Sequence, residues 1–243
     1  MRLTLYQYEI SPYADKVRRI LKLKSLTYDV IEIPITKPGK FKAISPTGKF
    51  PVLVDEGSGA SAKTTIDSTD ILRYLDLAYP AVRVAPDDPR DAGLATILED
   101  WADESLYFYD LTMRAWSQNR AWFLRDLLNQ EPRSIGRTLL ERLIPGALLK
   151  VTRAQGLGRK PQATVMSDLA GLYDALEAML AGCDWLAGPR LSTADVSVRV
   201  MVNVLDRTVE GAALLAARPR LTAWAARVDA AAPPEGISIT QQP

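Results

Sequence analysis

Three pairs of residues stand where a side chain or a length of exposed backbone could do chemistry: Ser11-Pro12, Phe50-Pro51 and Asp67-Ser68. Ser11-Pro12 reads as a helix N-cap followed by proline at the first helical position. Phe50-Pro51 follows the turn signal Ser45-Pro46-Thr47-Gly48 and opens the short apolar run 52–54. A proline there belongs at a strand's first residue, at an edge, or in a tight turn with a cis bond. A cis bond would turn the backbone of Phe50 outward, leaving its N–H and C=O to meet an extended peptide edge to edge. An ordinary trans proline at a strand start is the other reading. Asp67-Ser68 begins a helix, with Asp67 as its cap. Ser192-Thr193-Ala194-Asp195 is a capping box with Asp in place of Glu, a structural signal. The chain has no histidine, which removes Ser-His and Cys-His nucleophile pairs, His-ligated zinc and histidine acid–base catalysis. Its one cysteine, Cys183, excludes internal disulfides and four-thiolate zinc sites, and its apolar neighbours read as core.

The elements that must position these groups fall into two sets. Residues 3–8 alternate as a strand, 12–21 are amphipathic with Tyr13, Val17, Ile20 and Leu21 on one face, and 28–33 are again β-rich. Strand, helix and strand in so short a span form a βαβ unit with parallel strands. Residues 34–42 read as loop, 52–54 and 64–66 as a hairpin turned at Glu56-Gly57-Ser58-Gly59, and Ile71, Leu72, Leu75 and Ala78 as the buried stripe of the next helix. Prolines 80, 86 and 89 mark a linker over 79–90, so the expected units are an α/β domain over 1–78 and a helical one over 91–243. Helical spacing runs over 92–116, 122–128, 135–144, 165–180, 192–209 and 218–231, with breaks expected at Pro132 and Pro145, a loop at 152–161 and a Pro/Gly tail from Pro233. Thirty Lys and Arg against 29 Asp and Glu give no global charge to attract nucleic acid or an anionic membrane. The first residues are too few and too polar for a signal peptide, and no apolar run approaches the roughly 20 residues of a membrane span. A soluble, cytoplasmic protein is expected.

Four segments in order carry a resemblance: Ser11-Pro12-Tyr13-Ala14-Asp15-Lys16-Val17-Arg18-Arg19-Ile20-Leu21, residues 45–53, residues 66–75, and Trp185-Leu186-Ala187-Gly188-Pro189-Arg190-Leu191-Ser192-Thr193-Ala194-Asp195-Val196. A βαβ-ββα domain with proline opening its third strand is the thioredoxin-like layout. With an all-helical second domain after a proline linker, the chain resembles the cytosolic glutathione S-transferases along essentially its whole length. The resemblance implies an N-terminal thioredoxin-like domain and a C-terminal helical bundle. It also implies a cis Phe50–Pro51 bond, glutathione as co-substrate, a small hydrophobic electrophile, a homodimer, and a part in detoxification.

It further implies roles for particular residues. Phe50 and Pro51 would hold the cysteinyl part of glutathione, Asp67 and Ser68 its γ-glutamyl group, and one of Lys37, Lys40 or Lys49 its glycyl carboxylate, with Lys40 taken for the site. Ser11 matches the serine of the serine-type members, whose hydroxyl activates the glutathione thiolate, and Tyr8 or Tyr6 is the alternative where other classes use tyrosine. Serine where disulfide-reducing classes carry cysteine disfavours a thiol-transfer mechanism. The electrophile is expected against the first long helix of the second domain, in a pocket formed from Tyr13, Tyr107, Phe108, Met113 and Trp116, two or three of the helix's aromatic and Met residues turning inward. Conjugation, ether cleavage, dehalogenation and isomerisation all fit, and a non-catalytic glutathione-fold partner protein is the competing reading. Two departures from the family pattern are a long, broken stretch over 118–159, able to form a lid, and a long hairpin loop over 56–63.

Overall fold

The computed structural model describes residues 2–57, 62–129, 131 and 133–234; the hairpin turn at Ser58-Gly59, the break at Pro132 and the tail beyond residue 234 lie outside them. Strand β1 (Leu3–Gln7), helix α1 (Pro12–Leu23) and strand β2 (Tyr28–Glu32) form the βαβ unit. Strands β3 (Val52–Asp55) and β4 (Lys63–Ile66) and helix α2 (Ser68–Ala78) complete the first domain. The sheet order is β2-β1-β3-β4. Strand β1 pairs parallel with β2, Leu5 opposite Val30, and antiparallel with β3, Leu5 opposite Leu53. Because strand side chains alternate, Leu3 and Leu5 share a face. Both are buried, in one core with Leu53, Val17, Ile20 and Leu21 of α1, and Ile71, Leu72 and Leu75 of α2.

Beyond it the chain is helical: α3 (Pro89–Trp101), α4 (Tyr107–Arg114), α5 (Ser117–Leu127), α6 (Ile135–Gln155), α7 (Gln162–Met179), α8 (Thr193–Leu205), α9 (Val209–Ala216) and α10 (Pro219–Ala231). No helix among the described residues is long and apolar enough to cross a membrane. Helix α8 joins the two cores, Val196 packing with the sheet domain and Val198, Met201 and Val202 with α3, α4, α7 and α10. Its capping box is present. Asp195 accepts from Ser192 N (2.9 Å), Ser192 Oγ (2.9 Å), Leu186 N (2.8 Å) and Trp224 Nε1 (2.8 Å), so one buried carboxylate ties α8, α10 and the segment before α8 together.

Several expectations are corrected. Pro145 does not end a helix: α6 passes through it and continues to Gln155, over residues read as loop. Residues 192–209 do not form one helix; α8 stops at Leu205, and α9 follows after Thr208, whose hydroxyl caps it by accepting from Gly211 N (3.0 Å). Cys183 is exposed rather than core, because α7 ends at Met179 and the chain turns outward there. Lys16, Arg18 and Arg19 of α1, which an amphipathic pattern assigns to solvent, are all buried: Lys16 and Arg19 meet carboxylates from distant elements, and Arg18 donates to Gln7 Oε1 at 2.6 Å and to the main-chain oxygen of Glu9. Between α3 and α4 one turn, Ala102–Leu106, is π-helical, so the long helix from Pro89 to Arg114 carries a bulge where it faces α1.

Candidate functional site

The ends of β1, α1 and α2 meet the bulged helix at a cleft of about 820 Å³, lined on one side by Tyr8, Ser11, Lys49, Phe50, Asp67 and Ser68. Ser11 is the N-cap of α1: its C=O accepts from Asp15 N (3.0 Å) and its N–H donates to Tyr8 O (3.0 Å). Its hydroxyl makes no capping bond. Pro12 has no N–H, and among the described residues no hydrogen bond engages those of Tyr13 or Ala14, which are orphan donors of a helix N-terminus. The N-terminus of α2 is different, since Asp67 caps it by accepting from Thr69 N (2.9 Å).

The third strand is approached through a turn in which Gly48 takes φ 72° and donates to Ser45 O (3.0 Å). A side chain at that φ would be strained, so glycine suits the turn. Ser45 Oγ then donates to Lys49 O (2.7 Å). The Phe50–Pro51 bond is cis, and no hydrogen bond among the described residues engages the backbone N–H or C=O of Phe50. Opposite, Asp67 holds φ 81°, a conformation that costs a non-glycine residue about 1–3 kcal/mol. It sets Ser68, 4% exposed, at the start of α2.

A charged cluster joins the two halves of the cleft. Lys16 Nζ lies 2.6 Å from Asp103 Oδ2 and 3.1 Å from Glu99 Oε1, and Thr69 Oγ1 donates to Glu99 Oε1 at 3.0 Å. Tyr13 OH donates to the main-chain oxygen of Asp103 (2.8 Å), within the π-helical turn. Burial pushes the Asp103 carboxyl above its ordinary range, and Lys16 beside it holds it back. Burial likewise raises the Tyr13 and Tyr8 hydroxyls, with the Glu32 carboxylate adding to the rise at Tyr8, so both stay protonated donors at neutral pH. Among the described residues no group of three or more Asp, Glu or Cys side chains is placed to hold a metal ion.

The far wall is apolar. Tyr107, Phe108, Leu111 and Arg114 of α4, Phe123 and Leu127 of α5, and Ile144 and Leu148 of α6 line it. The Tyr13 and Tyr107 rings meet edge to face at 5.0 Å. Glu131 accepts from Thr36 N (3.3 Å) and Oγ1 (2.7 Å), tying the connection between α5 and α6 to the loop after β2, beside Ile35 in the cleft wall.

Of the residues expected at the site, Ser11, Tyr13, Phe50, Pro51, Asp67, Ser68, Tyr107 and Phe108 are brought together. Met113 and Trp116 are not; both pack in the helical core with Tyr109. At about 100° per residue, positions 107, 108, 111 and 114 share one face of α4 while 109 and 113 point to the other. Of the candidate lysines, Lys49 lines the cleft, whereas Lys40 and Lys37 are exposed outside its lining. Sequence reasoning missed Lys16, Glu99, Asp103 and Arg114. Leu111, one turn after Tyr107, was legible from helical spacing; the charged residues were not, because their partners lie on other elements.

Comparison with known proteins matches residues 5–83 to the family model "Glutathione S-transferase, N-terminal domain" and residues 146–231 to "Glutathione S-transferase, C-terminal domain". The chain is 26% identical over 231 residues to glutathione S-transferase 3 of Zea mays, covering 91% of this chain and 86% of that protein. It is 34% identical over 98 residues to glutathione S-transferase U6 of Arabidopsis thaliana, covering 40% and 42%. In several other relatives the match spans about two fifths of their length. Among solved structures, the β-etherase LigF of Sphingobium sp. strain SYK-6 superposes with TM-score 0.70 at 24% identity over 95% of this chain and 96% of that one. Glutathione S-transferase III in apo form gives 0.66 at 23% identity over 95% and 92%.

Proposed function

Since the chain belongs to the glutathione S-transferase family, whose two domain models together match more than half of it, we propose that it is a glutathione-dependent transferase in which Ser11 stabilises the thiolate. The observation that carries this reading is the hydroxyl of Ser11 at the mouth of α1, in the same cleft as the backbone of Phe50, neither of them hydrogen-bonded among the described residues. The cysteinyl main chain of the tripeptide pairs with Phe50. Its γ-glutamyl carboxylate takes the N-terminus of α2 at Ser68, where the helix favours an anion, and Asp67 receives the ammonium. Lys49, the cleft's own lysine, takes the glycyl carboxylate.

A free thiol has a pKa near 8.5, so neutral pH leaves only a few per cent ionised. Lowering it by two units requires about 2.7 kcal/mol of preference for the anion. A hydroxyl donating to charged sulfur contributes about 1.5–3 kcal/mol and the α1 N-terminus about 0.3–1 kcal/mol more. The two together suffice. The thiolate then bonds the electrophilic carbon and the leaving group departs with its electron pair, the electrophile lying against Tyr13, Tyr107 and Phe108.

The test is the titration of bound glutathione, followed by thiolate absorbance, in Ser11→Ala and in Tyr8→Phe. Ser11→Ala is expected to raise the bound thiol's pKa by about 1–2 units and Tyr8→Phe to leave it. An unmoved curve in Ser11→Ala removes the serine assignment, and retention on immobilised glutathione without turnover of any electrophile removes the catalytic one. A homodimer completes the proposal, supported by the family and by Leu77 and Ile97, which are 84% and 67% exposed on α2 and α3. Light scattering measures it.

A further inference from the structure

The apolar wall of the cleft contains one group that a purely hydrophobic pocket would not keep. Among the described residues, Arg114 is the only charged side chain that α4, α5 and α6 contribute to the lining. Its side chain is 6% exposed and that of Asp110 is fully buried. Nε donates to Asp110 Oδ1 (2.8 Å), Nη2 lies 2.7 Å from Asp110 Oδ2, and the guanidinium sits 4.9 Å from the centroid of the Phe123 ring. No hydrogen bond or ion pair among the described residues engages Nη1. A guanidinium carries five N–H donors in a fixed fork, and Asp110 with the ring occupies one edge and one face of it.

Nη1, which is not among the buried unpaired atoms, is the donor left to face the cleft, and a hydrogen bond from a charged donor is about twice as strong as a neutral one. Arg114 stands seven residues beyond Tyr107, about 10 Å along the helix. Tyr107 touches Tyr13, two residues from Ser11. The forming bond to sulfur, an aromatic ring, a substituent on its far side and a hydrogen bond of about 2.9 Å together make a length of that order. Segment 84–145, which supplies Arg114 and most of this wall, lies between the two stretches that match the family models.

Building on the function proposed above, we propose that Arg114 determines specificity: the cleft takes an aromatic electrophile whose end remote from the attacked carbon carries an oxygen acceptor, which Arg114 Nη1 bonds. A carbonyl and a carboxylate both meet this description. The probes are 4-chloro-3-nitroacetophenone, 4-chloro-3-nitrobenzoate and 1-chloro-4-ethyl-2-nitrobenzene, each rate divided by its uncatalysed reaction with glutathione. The wild type should prefer at least one oxygen-bearing probe over the ethyl probe by about 10- to 100-fold in kcat/KM, the worth of one hydrogen bond to a charged group.

Arg114→Gln alone would strand a buried carboxylate, so the variant is Asp110→Asn/Arg114→Gln, which keeps an uncharged hydrogen-bonded couple. In it the preference should collapse to within about threefold, while glutathione affinity by calorimetry, read from the other half of the cleft, reports that the site is intact. A wild-type preference below about threefold, or one that persists in the double variant, overturns the proposal. Should no probe turn over, the transferase reading fails separately. Binding of the unreactive 3-nitroacetophenone, 3-nitrobenzoate and 1-ethyl-3-nitrobenzene to the glutathione-loaded protein then decides, equal affinities overturning the role of Arg114. Preference for the ketone alone identifies a neutral acceptor, and for the benzoate an anionic one.

Discussion

Replacing Lys16 by methionine removes an ammonium with no solvent exposure and leaves the carboxylates of Glu99 and Asp103, each about 10% exposed, without their cation. The side chain keeps its length, so the change is electrostatic. Removing one partner from a buried ion pair costs about 3–5 kcal/mol. For a chain of this length each kcal/mol is worth about 2–4 °C in Tm, which places the variant roughly 6–20 °C below the wild type at neutral pH. The pH dependence has a definite sign. Burial already holds the folded Asp103 carboxyl above its unfolded value, against the pull of Lys16. Without Lys16 that upward displacement grows. A carboxyl raised by folding binds its proton more tightly in the folded state, so acidification through the raised pKa adds stability. The deficit of Lys16→Met should therefore shrink between about pH 7.5 and about pH 5.5. Calorimetric unfolding at the two pH values measures it. In a Lys16→Met/Asp103→Asn background, with one buried charge fewer, most of the deficit should be recovered. A deficit below about 1 kcal/mol, or one equal at both pH values, would mean that water screens the cluster as it does a surface pair, and the reasoning would be refuted.

Two further outcomes follow from other parts of the molecule. Asp195→Ala strands the Leu186 and Ser192 N–H groups and the indole N–H of Trp224; it should cost about 3 kcal/mol or more and lower Tm by roughly 6–12 °C, and a change under about 2 °C would show that the carboxylate does not hold α8 in place. Pro145→Ala restores the N–H that the middle of α6 lacks and should raise Tm by a few degrees, from a gain of about 1–2 kcal/mol; a lowered Tm would show that the ring's packing outweighs the missing bond.

Much of the first domain is legible because its signals are local. Alternation in β1, the apolar face Val17-Ile20-Leu21 of α1 and the Ser-Pro start of that helix follow from neighbours a few residues apart. So does the turn at Gly48, which needs a positive φ. The lines Ser11, Phe50, Asp67 and Ser68 were found this way and converge on one cleft. The apolar half was legible only as a cluster of aromatic residues. Which of them face the cleft depends on the rotation of α4 about its axis, set by the core that takes Tyr109 and Met113.

What the chain alone determined is the order and type of most elements and the residues at their ends, because caps, turns and periodicity act within a turn or two. The path of α6 through Pro145, the outward turn at Cys183, the burial of Lys16 and the place of Arg114 at the cleft were decided by the tertiary structure. Each depends on a partner remote in sequence or on packing that offsets a local penalty: a lysine in α1 is solvent-seeking until Glu99 and Asp103, more than eighty residues away, are brought within 3.1 Å of it. Local preference marks where a side chain can point, and only folding supplies what it meets.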